Sequence, residues 1–248
     1  MKTTGNTILI TGGGSGIGRA LAEEFHKAGN TVIIAGRRPS VLDEVTAANP
    51  GMASAVLDVE SPEAIKAFAE KIIADYPALN VLFNNAGIMT PEDVKAGGTA
   101  VAEATVAINL LGPIRLTDAL LPHLRTQADA VVINTTSGLA FVPLAITPTY
   151  SATKAALRSY TQSLRHQLKG EVEVIELAPP YVQTELMGEH QASDPNAMPL
   201  DAFIAETMAN FRVVPTPADN QVGQVKFLSE AERSGEYDQV FAALNSLF

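Results

Sequence analysis

Six short runs rich in β-branched residues recur along the chain: TILIT (7–11), TVIIAG (31–36), ASAVLDV (53–59), LNVLFNN (79–85), AVVINTT (130–136) and EVEVIEL (171–177). Between them lie segments such as RALAEEFHKAG (19–29) and PEAIKAFAEKIIADY (62–76), apolar at helical spacing with charge on the opposite face. Strands that alternate with helices are joined by right-handed crossovers, which makes the sheet mostly parallel. Runs this continuously apolar need cover on both faces. The expected class is α/β, a doubly wound parallel sheet of six or seven strands in three αβα layers. A length of 248 residues with no break in composition fits one domain spanning 1–248.

After the first strand comes TGGGSGIGRA (11–20), in which Gly12, Gly16 and Gly18 form TGxxxGxG at a strand-to-helix turn. Glycine permits positive φ there and lets a backbone approach a pyrophosphate closely. The following helix offers free N–H groups and the positive end of its dipole to the anion. The strand–turn–helix context makes this a Rossmann-type dinucleotide site. An acid at the end of the second strand would bind the adenosine ribose hydroxyls of NAD and repel a 2′-phosphate. The chain has IIAGRRPS there, and the guanidinium groups of Arg37 and Arg38 suit a phosphate. NADP is therefore expected in preference to NAD, with the Ser15 hydroxyl as a further phosphate donor.

The composition removes other chemistries. With no Cys, the chain has no disulfide framework, thiolate nucleophile or Cys-based zinc site. The four His (His26, His123, His166, His190) are scattered without ligand spacing, so no metal is expected. A net charge of −10 disfavours nucleic acid and anionic membranes as partners. The longest apolar runs read as strand-length, and the apolar part of MKTTGNTILITGG is short for a signal peptide, so no membrane span and a cytoplasmic location are expected.

Tyr150 and Lys154 stand four residues apart in TYSATKAAL, on one face of a helix. Such a pair alone is more often an ordinary helix start. In company with LDV (57–59), NNAG (84–87), Asn109 in AINLLG and Ser137 in NTTSG, it resembles the short-chain dehydrogenase/reductase family, from about residue 5 to 187. The thirteen-residue separation of Ser137 and Tyr150 is typical of that family. The resemblance implies a catalytic set of Asn109, Ser137, Tyr150 and Lys154. It implies cofactor contacts at Gly12, Ser15, Gly16, Ile17 and Gly18, at Asp58 and Val59 beside the adenine, and at Asn85, Ala86 and Gly87 along the ribose. Pro179, Val182 and Thr184 would meet the nicotinamide end, and Tyr150 and Lys154 its ribose. Lys154 is expected to lower the phenol of Tyr150 from about 10, Ser137 to polarise the substrate oxygen, and Asn109 to hold a relay water. The implied reaction is reversible NADPH-dependent reduction of a ketone or aldehyde to an alcohol. The alternatives are a non-catalytic NADP(H)-sensing protein on the same fold, or an epimerase or dehydratase using the same pair.

Two regions depart from the family pattern. The usual Pro-Gly after the sixth strand is Pro179-Pro180 in LAPPYVQTEL, a stiffer turn. The end, VGQVKFLSEAERSGEYDQVFAALNSLF, reads as a helix over about 217–233 and a short one over about 237–246, which places the seventh strand in doubt. The helices beginning near residues 100 and 150 then form the expected dimer interface, with a tetramer as the alternative. This tail and the APPY turn resemble a bacterial branch of the family named after the teichoic-acid D-alanylation operon. The Met- and Pro-rich stretch 186–217 is expected to be a mobile lid at the carboxyl ends of the strands. With Met89, Phe141, Val142, Leu144, Tyr181, Met187, Phe203 and Met208 it would make an apolar substrate pocket.

Overall fold

The computed structural model describes residues 1–247. Its strands are β1 (Thr7–Thr11), β2 (Thr31–Gly36), β3 (Ala53–Val56), β4 (Leu79–Asn84), β5 (Val131–Thr135), β6 (Glu173–Leu177) and β7 (Asp219–Asn220). All are parallel, in the order β3-β2-β1-β4-β5-β6-β7. The chain winds outward in both directions from β1 and β4, so their carboxyl ends flank the crevice where such sheets bind ligands.

The helices are α1 (Gly16–Lys27), α2 (Pro39–Ala48), α3 (Pro62–Asp75), α4 (Ala100–Val106), α5 (Gly112–Leu124), α6 (Pro148–Gln167), α7 (Leu200–Phe211), α8 (Lys226–Ser229), α9 (Ala231–Ser234) and α10 (Tyr237–Asn245). Their starts are written in the sequence. Proline opens α2, α3 and α6 and stands in the first turn of α5. The Ser61 hydroxyl caps α3 by accepting the Ala64 N–H at 3.1 Å.

Period-two alternation divides the interior in two. Ile8, Ile10, Val32, Ile34, Val81 and Phe83 point to one face, where they pack with Leu21 and Phe25 of α1 and Phe203, Ile204 and Phe211 of α7. Leu9, Ile33, Leu82 and Val132 point to the other, against Ile65, Phe68 and Ile72 of α3 and Leu116, Leu120 and Leu124 of α5. The run 100–124 is long and apolar enough by composition to cross a membrane, a property the sequence reading did not single out. In the fold Ile108, Leu116, Leu120 and Leu124 of this run join the second core, the three leucines fully enclosed.

The sheet takes the larger of the two expected strand counts, and three other expectations are corrected. A seventh strand forms: β7 extends the sheet by two residues, Asp219 and Asn220, beside Glu176 and Leu177. The helix expected over 217–233 is confined to α8 and α9, because residues before Lys226 pair with the sheet edge or form a short 3-10 turn. The lid is also shorter than 186–217. Residues 200–211 are a core helix, with Phe211 5.7 Å from Phe25 and 6.4 Å from Phe83 between ring centroids. Phe203 and Met208 belong to that core and not to a substrate pocket. Their apolar character reflects sheet cover. Phe203→Ala should therefore cost about 3–5 kcal/mol of stability in a urea titration, the loss typical of an enclosed aromatic side chain.

Candidate active site

A cavity of about 550 Å³ opens along the carboxyl ends of β1, β4, β5 and β6. One end is built by the glycine turn. Gly12 and Gly16 have φ of +68° and +52°, in the left-handed region. Close approach excludes side chains as well: a Cβ on Gly12 would lie 2.9 Å from the Ala86 Cα, and one on Gly18 2.3 Å from the Gly12 carbonyl. The turn is tied to the next strands by Gly12 N–H to Ala35 O at 2.7 Å and Asn85 Nδ2 to Thr11 O at 3.1 Å. Ser15 precedes α1 without making a side-chain cap bond, so its hydroxyl faces the cavity uncommitted.

Arg37 and Arg38 line the same end. Both are exposed, and among the described residues neither guanidinium pairs with a carboxylate. Ile17, Val59, Asn85, Ala86 and Gly87 line the cavity as expected. Asp58 does not: its neighbours Leu57 and Val59 do, while its own carboxylate accepts the Glu60 N–H at 3.0 Å. This local turn fixes the side chain beside the rim.

At the centre, α6 delivers Tyr150 and Lys154. The N-terminus of α6 is held from a distance by Glu92, whose carboxylate accepts the Thr149 N–H at 3.0 Å and the Thr149 hydroxyl at 2.8 Å. Lys154 is 4% exposed, and its Nζ donates to Thr135 O at 2.8 Å at the end of β5. The ammonium lies 5.6 Å from the centre of the Tyr150 ring. Ser137 stands two residues beyond Thr135 and lines the same cavity as Tyr150, and its Oγ accepts the Leu139 N–H at 3.1 Å.

Asn109 sits in a five-residue π-helical segment (Ala107–Leu111) that separates α4 from α5. Such bulges re-aim a side chain within a continuous helix. Its amide is fully buried and closes on one residue, accepting Ile88 N–H at 2.9 Å and donating to Ile88 O at 2.8 Å. A Cβ on Gly87 would fall 3.2 Å from Asn109 Oδ1 and 3.7 Å from Lys154 Nζ, so glycine is what lets these groups converge.

Burial governs the electrostatics. It pushes the Tyr150 phenol up to about 12, opposed only by the Ser137 hydrogen bond, and pushes the Lys154 ammonium down to about 8. The expected lowering of Tyr150 by Lys154 is not seen. Desolvation penalises both charged forms, and the ammonium is aimed at a carbonyl on β5.

The far end is apolar. Met89, Leu144, Tyr181 and Met187 line the cavity as expected, as do Pro179, Val182 and Thr184, the last facing the glycine turn at Gly16. Phe141 does not line it: its ring turns away beneath Arg158, 4.3 Å from the guanidinium carbon. Val142 is likewise enclosed, packed with Leu228, Ala231 and Val240. The loop part of the expected lid reduces to residues 183–198, closed at its base by the Val182–Met198 bridge. Buried Gln191 pins it, donating to Val182 O at 2.7 Å and accepting the Met187 N–H at 2.9 Å. Sequence reading missed Gln191 and the lining residues Leu139, Leu228 and Leu244, which carry no motif.

Comparison with known proteins agrees with this geometry. The family described as short chain dehydrogenase matches residues 6–195. A Bacillus subtilis protein named uncharacterized oxidoreductase DltE is 38% identical, over 99% of each chain. A short-chain dehydrogenase from Streptomyces avermitilis superposes with a TM-score of 0.82 at 28% identity, covering 99% of this chain and 97% of the other. L-sorbose reductase from Gluconobacter frateurii, solved with NADPH and L-sorbose, gives 0.69 at 28% identity over 73% and 71%. With that match in sequence and the shared seven-stranded Rossmann-like fold, the chain belongs to the short-chain dehydrogenase family of oxidoreductases.

Proposed function

We propose that the protein is an NADP(H)-dependent carbonyl reductase, working reversibly on a ketone or aldehyde and the corresponding alcohol. The observation that carries the reading is one continuous cavity that joins a side-chain-free glycine cradle and two unpaired arginines to the Ser137–Tyr150–Lys154 group. The cradle fits a dinucleotide, since the surfaces that a Cβ would fill are those a pyrophosphate needs to approach. Gly12, Ser15, Gly16, Ile17 and Gly18 would hold the phosphates, and Arg37 and Arg38 the 2′-phosphate. Asn85, Ala86, Gly87 and Lys154 would lie along the nicotinamide ribose. The solved L-sorbose reductase bound to NADPH supports this choice of cofactor.

When bound, the nicotinamide supplies the hydride. Everything else falls to the chain. Ser137 donates a hydrogen bond to the carbonyl oxygen and polarises it. Tyr150, a neutral phenol over the whole physiological range because it is buried, donates its proton to that oxygen as the alcohol forms. The phenolate left behind is favoured by Ser137 against the penalty of burial, and the Lys154 ammonium, held by Thr135 O, lies 5.6 Å from the ring. Asn109 keeps Ile88 and Gly87 in place beside the ammonium, where protons are restored from solvent.

The test is a ketone panel run in parallel with NADPH and NADH, where a preference for NADH would overturn the assignment of Arg37 and Arg38. Tyr150→Phe should lower kcat by about 10²–10⁴-fold with NADPH still bound, the usual contribution of a positioned general acid. Arg37→Ala should raise the KM for NADPH by about 10–100-fold and leave that for NADH alone, the loss of one charge-assisted contact. Lys154 is charged below about pH 8 and neutral above it. Reduction should thus be level on the acid side of that value and fall as pH rises through it, as a pH–rate profile would read.

A further inference from the structure

The C-terminal segment wraps onto the loop that carries Ser137. Leu228 of α8 approaches so closely that a Cβ on Gly138 would lie 2.6 Å from its Cδ1, with Val225 Cγ2 at 3.0 Å. Val142 of the same loop is enclosed by Leu228, Ala231 and Val240. The end of α10 is fastened by one side chain. The Asn245 amide oxygen accepts the Ala145 N–H at 2.6 Å, and its Nδ2 donates to Pro143 O at 3.2 Å and to Phe241 O at 2.9 Å. In consequence Leu228 and Leu244 reach the cavity beside Leu139 and Leu144.

Charge is distributed unevenly along the cavity. Among the described residues that line it, the cations are Arg37, Arg38 and Lys154, and the one carboxylate is Glu185 on the lid. The wall from the tail carries no charge. The Tyr181 hydroxyl is directed to Asp194 Oδ2 at 3.0 Å, within the lid loop. Beyond Ser137 and Tyr150, a substrate substituent meets leucine and methionine side chains.

We propose that Leu228 and Leu244, latched through Asn245, form the wall that selects the substrate. That wall admits carbonyl compounds whose larger substituent is apolar and rejects those with a carboxylate, sulfonate or phosphate on it. This inference rests on the carbonyl-reductase reading for its chemistry, though its geometry does not. A buried anion at this wall would have no partner, and desolvation without pairing is costly.

The test uses the full chain with straight-chain methyl ketones of increasing length and the matching keto acids that end in a carboxylate. Two readouts are taken with NADPH present: the shift in Tm on adding each compound, and kcat/KM. For the wild type, longer ketones should raise Tm and kcat/KM, and each keto acid should fall below its ketone by at least about tenfold. Leu244→Arg, at a half-buried position, should move that ratio toward the keto acids by about tenfold or more. Leu228→Ala should shift the preferred ketone to a longer chain. Asn245→Ala should raise the KM for ketones with kcat and the affinity for NADPH held, a split that loss of general stability would not produce. Ketones that raise Tm without being turned over would refute the carbonyl-reductase reading and leave the wall intact. A ratio unchanged in Leu244→Arg and Leu228→Ala by both readouts, or ketones that shift no Tm, would overturn the wall.

Discussion

A buried ammonium must be answered by a fixed dipole, and the hydrogen bond from Lys154 Nζ to Thr135 O is that answer. It joins the second turn of α6 to the end of β5, so the helix cannot slide along the sheet without stranding a charge. Everything at the centre of the cavity takes its place from this bond. Ser137 follows Thr135 by two residues, Tyr150 precedes Lys154 by one turn, and Gly87 leaves room for the ammonium beside Asn109. The depressed value of Lys154, about 8, shows the tension involved: burial works against the charge, and the carbonyl holds it.

Beneath that bond lies a buried ladder of neutral polar groups. Asn84 on β4 donates to Asn134 on β5 at 2.9 Å and to Thr117 of α5 at 3.0 Å, and Asn134 donates onward to Thr161 of α6 at 2.9 Å. Each donor is satisfied, so the ladder fixes helix against strand without leaving an unpaired group. A second brace reaches Thr136, whose hydroxyl donates to Glu176 at 2.6 Å while Arg158 pairs with the same carboxylate. The loop that carries Ser137 is therefore held from below by β6 and α6 and from outside by the tail.

The legible parts of the molecule are those where backbone chemistry forces a residue type. Gly12 and Gly18 are readable because no side chain fits where they stand, and the strands because doubly covered strands must be apolar throughout. Tyr150 and Lys154 became readable once their neighbours were considered together. Phe203 and Met208 are misread for one cause. Phe203 and Met208 are apolar, and so are Met187 and Leu144, yet two serve the core and two the cavity. Side-chain type alone cannot separate burial against a sheet from burial against a ligand. Phe141 is placed by a local partner instead, its ring beneath the Arg158 guanidinium.

The two ends of the cavity differ in how they are built. At the glycine turn the surfaces are backbone, tied strand to strand by Gly12 N–H to Ala35 O and by Asn85 to Thr11, and they offer the same dipoles whatever side chains surround them. The opposite end is made of side chains from four separate segments: the loop after Ser137, the turn at Pro179–Tyr181, the lid and the tail. Apart from Tyr181 and Gln191, which are tied within 181–198, no hydrogen-bond pattern dictates those side chains, so the leucines and methionines can change size while the sheet and Lys154 stay as they are. A chain built this way keeps one reaction and leaves the choice of substrate to leucines and methionines. Leu228 and Leu244, far from every motif in sequence, come to stand closest to that choice.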